Sequence, residues 1–195
     1  MNLFERFDDE VPADVVALAP DKRHFRFAGT FILDISLTLV CCLAASVAFA
    51  EIPPSVPAFL GALALLMVII ACYVGKVLVV RYLDNSGGDA RTYVLSSSLV
   101  DSGPYAWSRN PTYLLALIQF IAWSLMLIWV QFFQPFHAFP LLVALFAPPV
   151  FVMINEFKIM PSEEATLRRL HGPAFDAYCA RVSRWLGWTK ANPHP

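Results

Sequence analysis

The sequence has little charge for its length. Of its 195 residues only 15% are Asp, Glu, Lys or Arg, whereas 58% are hydrophobic, and the mean hydropathy is +0.59. This composition lies well outside the usual range of soluble domains. The 14 bases are balanced by 15 acids and form no basic patch, so we expect no nucleic-acid partner. The composition therefore indicates an integral membrane protein.

Cysteine is also scarce, and its spacing fits no metal site. Cys41, Cys42 and Cys72 lie inside apolar runs, and Cys179 lies in a polar segment near the end of the sequence. No pair has the spacing of metal ligands. We interpret the four as reduced packing residues and predict no bound metal.

Four apolar runs are each long enough to cross about 30 Å of hydrocarbon as a helix. They cover roughly residues 28–50, 58–80, 112–130 and 136–157. The first starts too late and is too long for a cleavable signal. The fourth is predicted to bend, because it contains Pro140, Pro148 and Pro149.

The short turns at 51–57 and 131–135 contain none of the 14 Lys and Arg. Three or five spans would place bases on both sides of the membrane. If the chain has four spans, all 14 bases fall on or next to one side, together with the N-terminal segment, the connection at 81–110 and the tail. By the positive-inside rule that side is cytoplasmic. The predicted fold is all-α and integral to the membrane, with four transmembrane helices and a short cytoplasmic helical tail. Its segments are a cytoplasmic segment 1–27, a membrane region 28–157 with a cytoplasmic loop 81–110, and a tail 158–195 that completes the site.

Two ionisable residues interrupt the apolar runs. Asp34 lies less than two turns from the polar end of the first run, so we expect it to reach the interface, although an acid in a span is also a functional candidate. Lys76 lies near the end of the second run. We expect it to extend to the lipid headgroups beside Arg81.

The most informative polar stretch is Leu99–Tyr113. Asn110 suits a helix N-cap, and Pro111 suits the first helical position, where its missing N–H costs nothing. Arg109 then lies beside a helix N-terminus, which has free backbone donors and a partial positive charge. Such a corner favours an anion.

The tail is predicted to form two short helices. The first starts at residues 161–162, has Glu163 and Glu164 in its first turn, and ends before Gly172. The second presents one continuous apolar stripe, formed by Phe175, Tyr178, Val182 and Trp185. We expect this stripe to pack on the bilayer surface or the bundle ends rather than to contact substrate.

Several motifs in chain order resemble the isoprenylcysteine carboxyl methyltransferase and phospholipid methyltransferase superfamily. They are Gly103-Pro104-Tyr105, Arg109-Asn110-Pro111-Thr112-Tyr113, Glu163-Glu164-x-x-Leu167, His171-Gly172, Phe175, Tyr178 and Val182-x-Arg184. The sequence departs from the family pattern at two positions. Asn110 stands where eukaryotic members usually have His, although Asn also occurs in bacterial relatives, and His171 stands where Phe or Tyr is usual.

The resemblance implies a bacterial-type enzyme of the inner membrane, and the distribution of the bases predicts that both termini are cytoplasmic. It implies transfer of a methyl group from S-adenosylmethionine to a lipophilic or small acceptor, which is a carboxylate, thiol or amine. The expected partners are therefore the lipid bilayer and this acceptor.

The resemblance also suggests site residues, and their chemistry suits that cofactor. Arg109 can bind the carboxylate, an acid can bind the ammonium or the ribose, and aromatic rings can enclose the adenine. The predicted cofactor-binding residues are Gly103, Tyr105, Arg109, Pro111, Tyr113, Glu163 and Glu164, with Trp107 as a further wall. The predicted catalytic residues are Arg109, Asn110 and Arg184.

Two other functions remain open. Membrane reductases of the sterol-reductase type use NADPH and have a similar Arg-Asn-Pro step and aromatic tail, although they usually have many more spans. Alternatively, the protein is a non-catalytic membrane assembly protein whose tail is a docking surface.

Overall fold

The structure, a computed structural model, describes residues 29–50, 55–88, 98–133 and 136–187. Its α-helices are α1 (Gly29–Phe49), α2 (Val56–Asn85), α3 (Pro111–Gln131), α4 (Ala138–Ile154), α5 (Met160–His171) and α6 (Pro173–Arg181). A short 3-10 helix (Gly103–Ala106) precedes α3, and a π-helical turn (Asn155–Ile159) joins α4 to α5. These ranges contain no strand, which confirms the predicted all-α fold. The predicted segment 1–27 lies outside them.

In the part of the chain that the structure describes, four helices are long and apolar enough to cross a membrane, as predicted. They are Ile32–Phe49, Val56–Asn85, Pro111–Gln131 and the continuous stretch Ala138–His171. In the apolar windows of the first two, only 17% of residues are buried by protein. A helix that is apolar on all sides but mostly uncovered suits contact with lipid.

The central helix is α3, which packs against α1, α2 and α4. The ring of Phe120 on α3 packs against the ring of Phe151 on α4, with the ring centroids 5.1 Å apart. Both side chains are fully buried. Gly61 of α2 lies so close to Trp129 of α3 that an added Cβ would be 2.2 Å from the indole nitrogen. This close approach fixes α2 against α3.

The second span is longer than predicted. It ends at Asn85 rather than near residue 80, and its 30 residues extend over about 45 Å. This exceeds the roughly 30 Å of a hydrocarbon layer. The last turns of α2 therefore extend beyond that layer, and Tyr82 hydrogen-bonds to Ser102 with 2.9 Å between their hydroxyl oxygens.

The predicted break between the fourth span and the tail was wrong. The helix continues from Ala138 to His171, so Glu163 and Glu164 do not lie at a free helix N-terminus. The physical reason is the π-helical turn, in which Met160 N–H bonds to Asn155 O. This wider turn accommodates Pro161, which would otherwise clash in a regular α-helix. No charged residue precedes Glu156 in this stretch, so we take α4 as the membrane-spanning part.

The predicted stripe in the tail is only partly continuous. Phe175, Tyr178 and Val182 form one buried cluster. However, α6 ends at Arg181, and Val182 is extended. Trp185 therefore lies beyond the helix, where it packs against the main core instead.

The expectations for Asp34 and Lys76 were also wrong. Lys76 does not extend to the headgroups but bonds to Asp34 on α1 and to Gln119 on α3. Helix rotation brings the three side chains together, which hydropathy alone does not predict.

Replacement of Gly61 by Ala is expected to destabilise the bundle by about 1–3 kcal/mol, because the new methyl group would overlap Trp129. The matched control is Gly75→Ala, whose Cβ would lie 3.1 Å from the mobile tip of Leu115. Thermal unfolding of both variants in detergent tests this. Equal midpoints for the two variants would contradict the proposed close contact.

Candidate functional site

The polar end of the bundle is the end at which α2 finishes and α3 begins. Residues 98–110, α5, α6 and residues 182–187 meet there. The 3-10 helix packs on α2 through Gly103, which has a φ of +57°. A Cβ at this position would lie 2.5 Å from the Tyr82 ring, so only glycine fits.

A carboxylate shared by two arginines lies at the centre of this end. Glu164 Oε1 accepts a hydrogen bond from Arg184 Nε at 2.9 Å, and Glu164 Oε2 accepts one from Arg184 Nη2 at 2.7 Å. Arg109 Nη1 lies 3.0 Å from Glu164 Oε1. Bidentate Arg–carboxylate pairing is among the strongest side-chain contacts. Glu164 therefore joins the loop before α3, helix α5 and the segment after α6.

The backbone around Arg109 strengthens the same junction. Arg109 N–H donates to Ser183 O at 3.0 Å, and Asn110 Nδ2 donates to Arg184 O at 3.1 Å. Asn110 directly precedes α3, as predicted, but its side chain does not cap the helix. It binds the C-terminal segment instead, because the Arg184 carbonyl lies within its reach.

Arg109 also has an unused donor. Its Nη1 contacts Cys179 Sγ at 2.7 Å as well as Glu164. Its Nε is buried, and no residue in the described ranges accepts a hydrogen bond from it. A buried guanidinium N–H without a partner is costly, so this corner suits an additional anionic group.

A second acid, Glu163, is buried beside Tyr113 at the start of α3. The Tyr113 hydroxyl donates to Glu163 Oε1, and the Glu163 residue is 8% exposed. Burial raises the pKa of this carboxyl from 4.5 to about 7, although the bond from Tyr113 opposes the rise. The neighbouring charge of Glu164 raises it slightly further.

One acid in the site was missed by the sequence interpretation. Glu156, in the π-helical turn, accepts a bond from Arg184 Nη1 through Oε1 and one from Trp185 Nε1 through Oε2 at 2.9 Å. The only sequence signal was an acid directly after an apolar run. The direction of the Glu156 side chain depends on the π-helical turn, which the sequence did not predict.

The chain matches the model of a known protein family. A family model described as phospholipid methyltransferase matches residues 59–160, just over half of the chain. The chain belongs to the phospholipid methyltransferase family. This confirms the resemblance noted in the sequence, and with the four apolar helices it identifies a membrane protein of methyltransferase type. No curated protein and no solved structure gives a significant match.

The match to the phospholipid methyltransferase family covers only part of the site. It includes Arg109, Asn110, Tyr113 and Glu156, and it ends at residue 160, before Glu163. The arginine and glutamate that complete the cluster, Glu164 and Arg184, follow the matched part. The contacts of Glu164 and Arg184 therefore join matched and unmatched residues in one cluster.

The remaining predicted residues have structural roles that the contacts define. Pro111 is buried at the first position of α3, as predicted. Tyr105 packs with the Phe175 cluster, and its carbonyl accepts a bond from Tyr178 at 2.7 Å. Trp107 is 58% exposed, so it does not form a closed wall in this structure.

The stability of the protein should depend on pH through Glu163. Because its pKa is raised to about 7 in the folded state, its stabilising contribution is complete below about pH 4.5 and is lost as the pH rises through 7. Glu163→Gln should remove this loss. The free energy of unfolding of the variant, relative to that of the wild type, should therefore increase between pH 5 and pH 8 by on the order of a few kcal/mol.

Unfolding midpoints at both pH values test this, with the exposed-acid variant Asp176→Asn as the control. A difference between Glu163→Gln and the wild type that stays the same at the two pH values would contradict the assignment.

Proposed function

We propose that this phospholipid methyltransferase family member transfers a methyl group from S-adenosylmethionine to a lipophilic acceptor at the cytoplasmic face of the membrane. The observation that carries the proposal is the buried Nε of Arg109, which has no partner among the described residues and lies beside Glu164 and Arg184. It occurs in a chain of the right family, at the end of the bundle where the bases collect.

The residues fit the cofactor's carboxylate. Arg109 is held in place by Glu164 through Nη1, which leaves the buried Nε–H to bind a carboxylate oxygen. Asn110 fixes the adjoining segment by its bond to the Arg184 carbonyl. We therefore assign Arg109 as the carboxylate-binding residue.

The two adjacent acids take different roles. Both oxygens of Glu164 already accept bonds from arginines, so Glu164 acts as a positioning residue for Arg109 and Arg184. Glu163 has only Tyr113 as a hydrogen-bond partner among the described side chains. It is the acid that would bind the cofactor's ammonium or ribose hydroxyls, and a bound cation would favour its ionised form.

The chemistry requires alignment more than acid–base catalysis. When bound, the cofactor supplies an electrophilic methyl group on a sulfonium. Methyl transfer is an in-line displacement, so the residues accelerate it chiefly by holding the reactants in line and excluding water. The burial of Tyr113 and Glu163 supports such a water-poor site.

The acceptor is proposed to enter from the bilayer. The outward surfaces of α1 and α2 are apolar and mostly uncovered by protein, so a lipophilic carboxylate, thiol or amine can approach through lipid. The distribution of bases supports a cytoplasmic position for the polar end and both termini. The proposed membrane is a bacterial inner membrane, as the bacterial-type motifs suggest.

Arg109→Ala and Glu164→Gln should each weaken binding of labelled S-adenosylmethionine roughly tenfold or more, because each removes a charge-assisted contact or its support. Equilibrium binding to the purified full-length protein measures this.

Arg168→Ala is the matched control, since Arg168 is a half-exposed arginine that pairs with Asp176 at the surface and lies over the Phe175 ring. It should bind as the wild type does. Unchanged affinity in both site variants would contradict the assignment of this cluster to the cofactor.

A further inference from the structure

The charges at the centre of the polar end are balanced in pairs. Glu156 pairs with Arg184, with 2.5 Å between Oε1 and Nη1. Glu164 pairs with Arg184 at 2.7 Å and with Arg109 at 3.0 Å. Two guanidinium groups therefore face two carboxylates, and this network has no positive charge left for a third acid.

The third acid is Glu163, which is buried without a cation. The residue is 8% exposed, and its Oε1 accepts a hydrogen bond from the neutral hydroxyl of Tyr113. Its Oε2 accepts none from the described residues, and no Lys, Arg or His among them forms an ion pair with Glu163. A buried carboxylate without a cation is costly to ionise, so it favours its protonated form.

The other titratable groups around Glu163 supply no positive charge. On α3, the hydroxyl of Tyr113 stabilises the ionised carboxylate, but burial outweighs it. On the 3-10 helix, burial and then the charges of Glu163 and of Asp84 on α2 raise the pKa of the Tyr105 hydroxyl. On α5 itself, the negative charge of Glu164 also opposes ionisation of Glu163.

A free donor and this unpaired acid lie at the same corner of the bundle. Arg109 has a buried Nε without a partner in the described ranges, and it contacts Glu164, the residue directly after Glu163. An α-amino acid group carries a carboxylate and an ammonium on one carbon atom. Arg109 matches the carboxylate, and Glu163 matches the ammonium once it is ionised.

We propose that Glu163 holds a proton in the cofactor-free protein and releases it when the ammonium group of S-adenosylmethionine binds. The carboxyl O–H bond breaks, the proton goes to solvent, and the carboxylate pairs with the ammonium. One positive charge therefore replaces another in a buried site. This inference rests on the proposed function, and it assigns Glu163 to the ammonium rather than to the ribose.

The affinity for the cofactor should then depend on pH in a defined direction. Below about pH 7, where the raised pKa of Glu163 lies, binding must first remove the proton. The wild type should therefore bind S-adenosylmethionine roughly fivefold more weakly at pH 6 than at pH 7. Glu163→Gln should bind weakly at both values and with little change between them.

The decisive measurement is the number of protons released, from isothermal titration of the full-length protein at pH 6.0 in MES and in imidazole buffer. The difference in heat between buffers of different ionisation enthalpy gives this number. The cofactor's ammonium, with an ordinary pKa of about 8, stays protonated at this pH. The wild type should release about 0.9 proton, because a carboxyl titrating near pH 7 is mostly protonated at pH 6.

Two further ligands test which part of the cofactor Glu163 faces. S-Adenosylhomocysteine keeps the ammonium but lacks the sulfonium charge, so it should release as many protons as S-adenosylmethionine. Adenosine keeps the ribose and lacks the amino acid group, so it should release none.

Three variants separate this role from a merely structural one. Glu163→Gln should release almost no protons, whereas Asp176→Asn, which changes an exposed acid on α6, should behave as the wild type does. Tyr113→Phe keeps the carboxyl but removes the bond that lowers its pKa, so at pH 7.0 it should release more protons than the wild type. This variant decides the matter if Glu163→Gln does not fold or binds too weakly.

Binding without proton release in the wild type would overturn the inference and leave the proposed function intact. Equal release by the wild type and Glu163→Gln would also overturn it, as would equal release by the wild type and Tyr113→Phe at pH 7.0. Release with adenosine, or with S-adenosylmethionine but not S-adenosylhomocysteine, would overturn the assignment to the ammonium. Absence of any S-adenosylmethionine binding would instead refute the proposed function itself.

Discussion

The Glu164 carboxylate, shared between Arg109 and Arg184, is the contact on which the polar end of the bundle depends. Three segments far apart in sequence meet at this one group. If the carboxylate were removed, Arg109 would lose its acidic partner, whereas Arg184 would keep Glu156. An uncompensated buried charge such as that of Arg109 typically costs about 3–5 kcal/mol. Glu156 extends the junction by holding the other edge of Arg184.

The membrane-spanning helices serve this junction by fixing its parts. Close packing at Gly61 sets α2 against α3, and the π-helical turn carries the helix past Pro161 so that α5 lies over the start of α3. Because the helices are apolar on nearly all sides, lipid covers what the protein does not. The charged residues of the described ranges are thus concentrated at one end, and Asp34 and Lys76 are the exceptions within the spans.

The sequence predicted the parts of the structure that depend on composition and local chain geometry. Four long apolar runs predicted four spans, and Pro111 marked the start of α3. The ordered motifs placed Arg109, Glu164 and Arg184 in one site, although they did not predict that these residues bind each other. Contacts that depend on helix rotation were missed, as for Lys76, and so was Glu156, since its direction follows from a π-helical turn. No periodicity in the sequence specifies such a turn, because it arises where a proline must be accommodated in a continuing helix.

The central claim is that this junction is a site for S-adenosylmethionine. The most direct measurement is the thermal unfolding of the purified protein with S-adenosylmethionine and, separately, with NADPH. A ligand at about 100 times its dissociation constant should stabilise the folded state by about 2.7 kcal/mol. The account predicts that S-adenosylmethionine raises the unfolding midpoint of the wild type by clearly more than that of Glu164→Gln, and that NADPH raises neither. Stabilisation by NADPH instead would indicate a reductase, and stabilisation by neither ligand would indicate a non-catalytic membrane protein; both results would contradict the account.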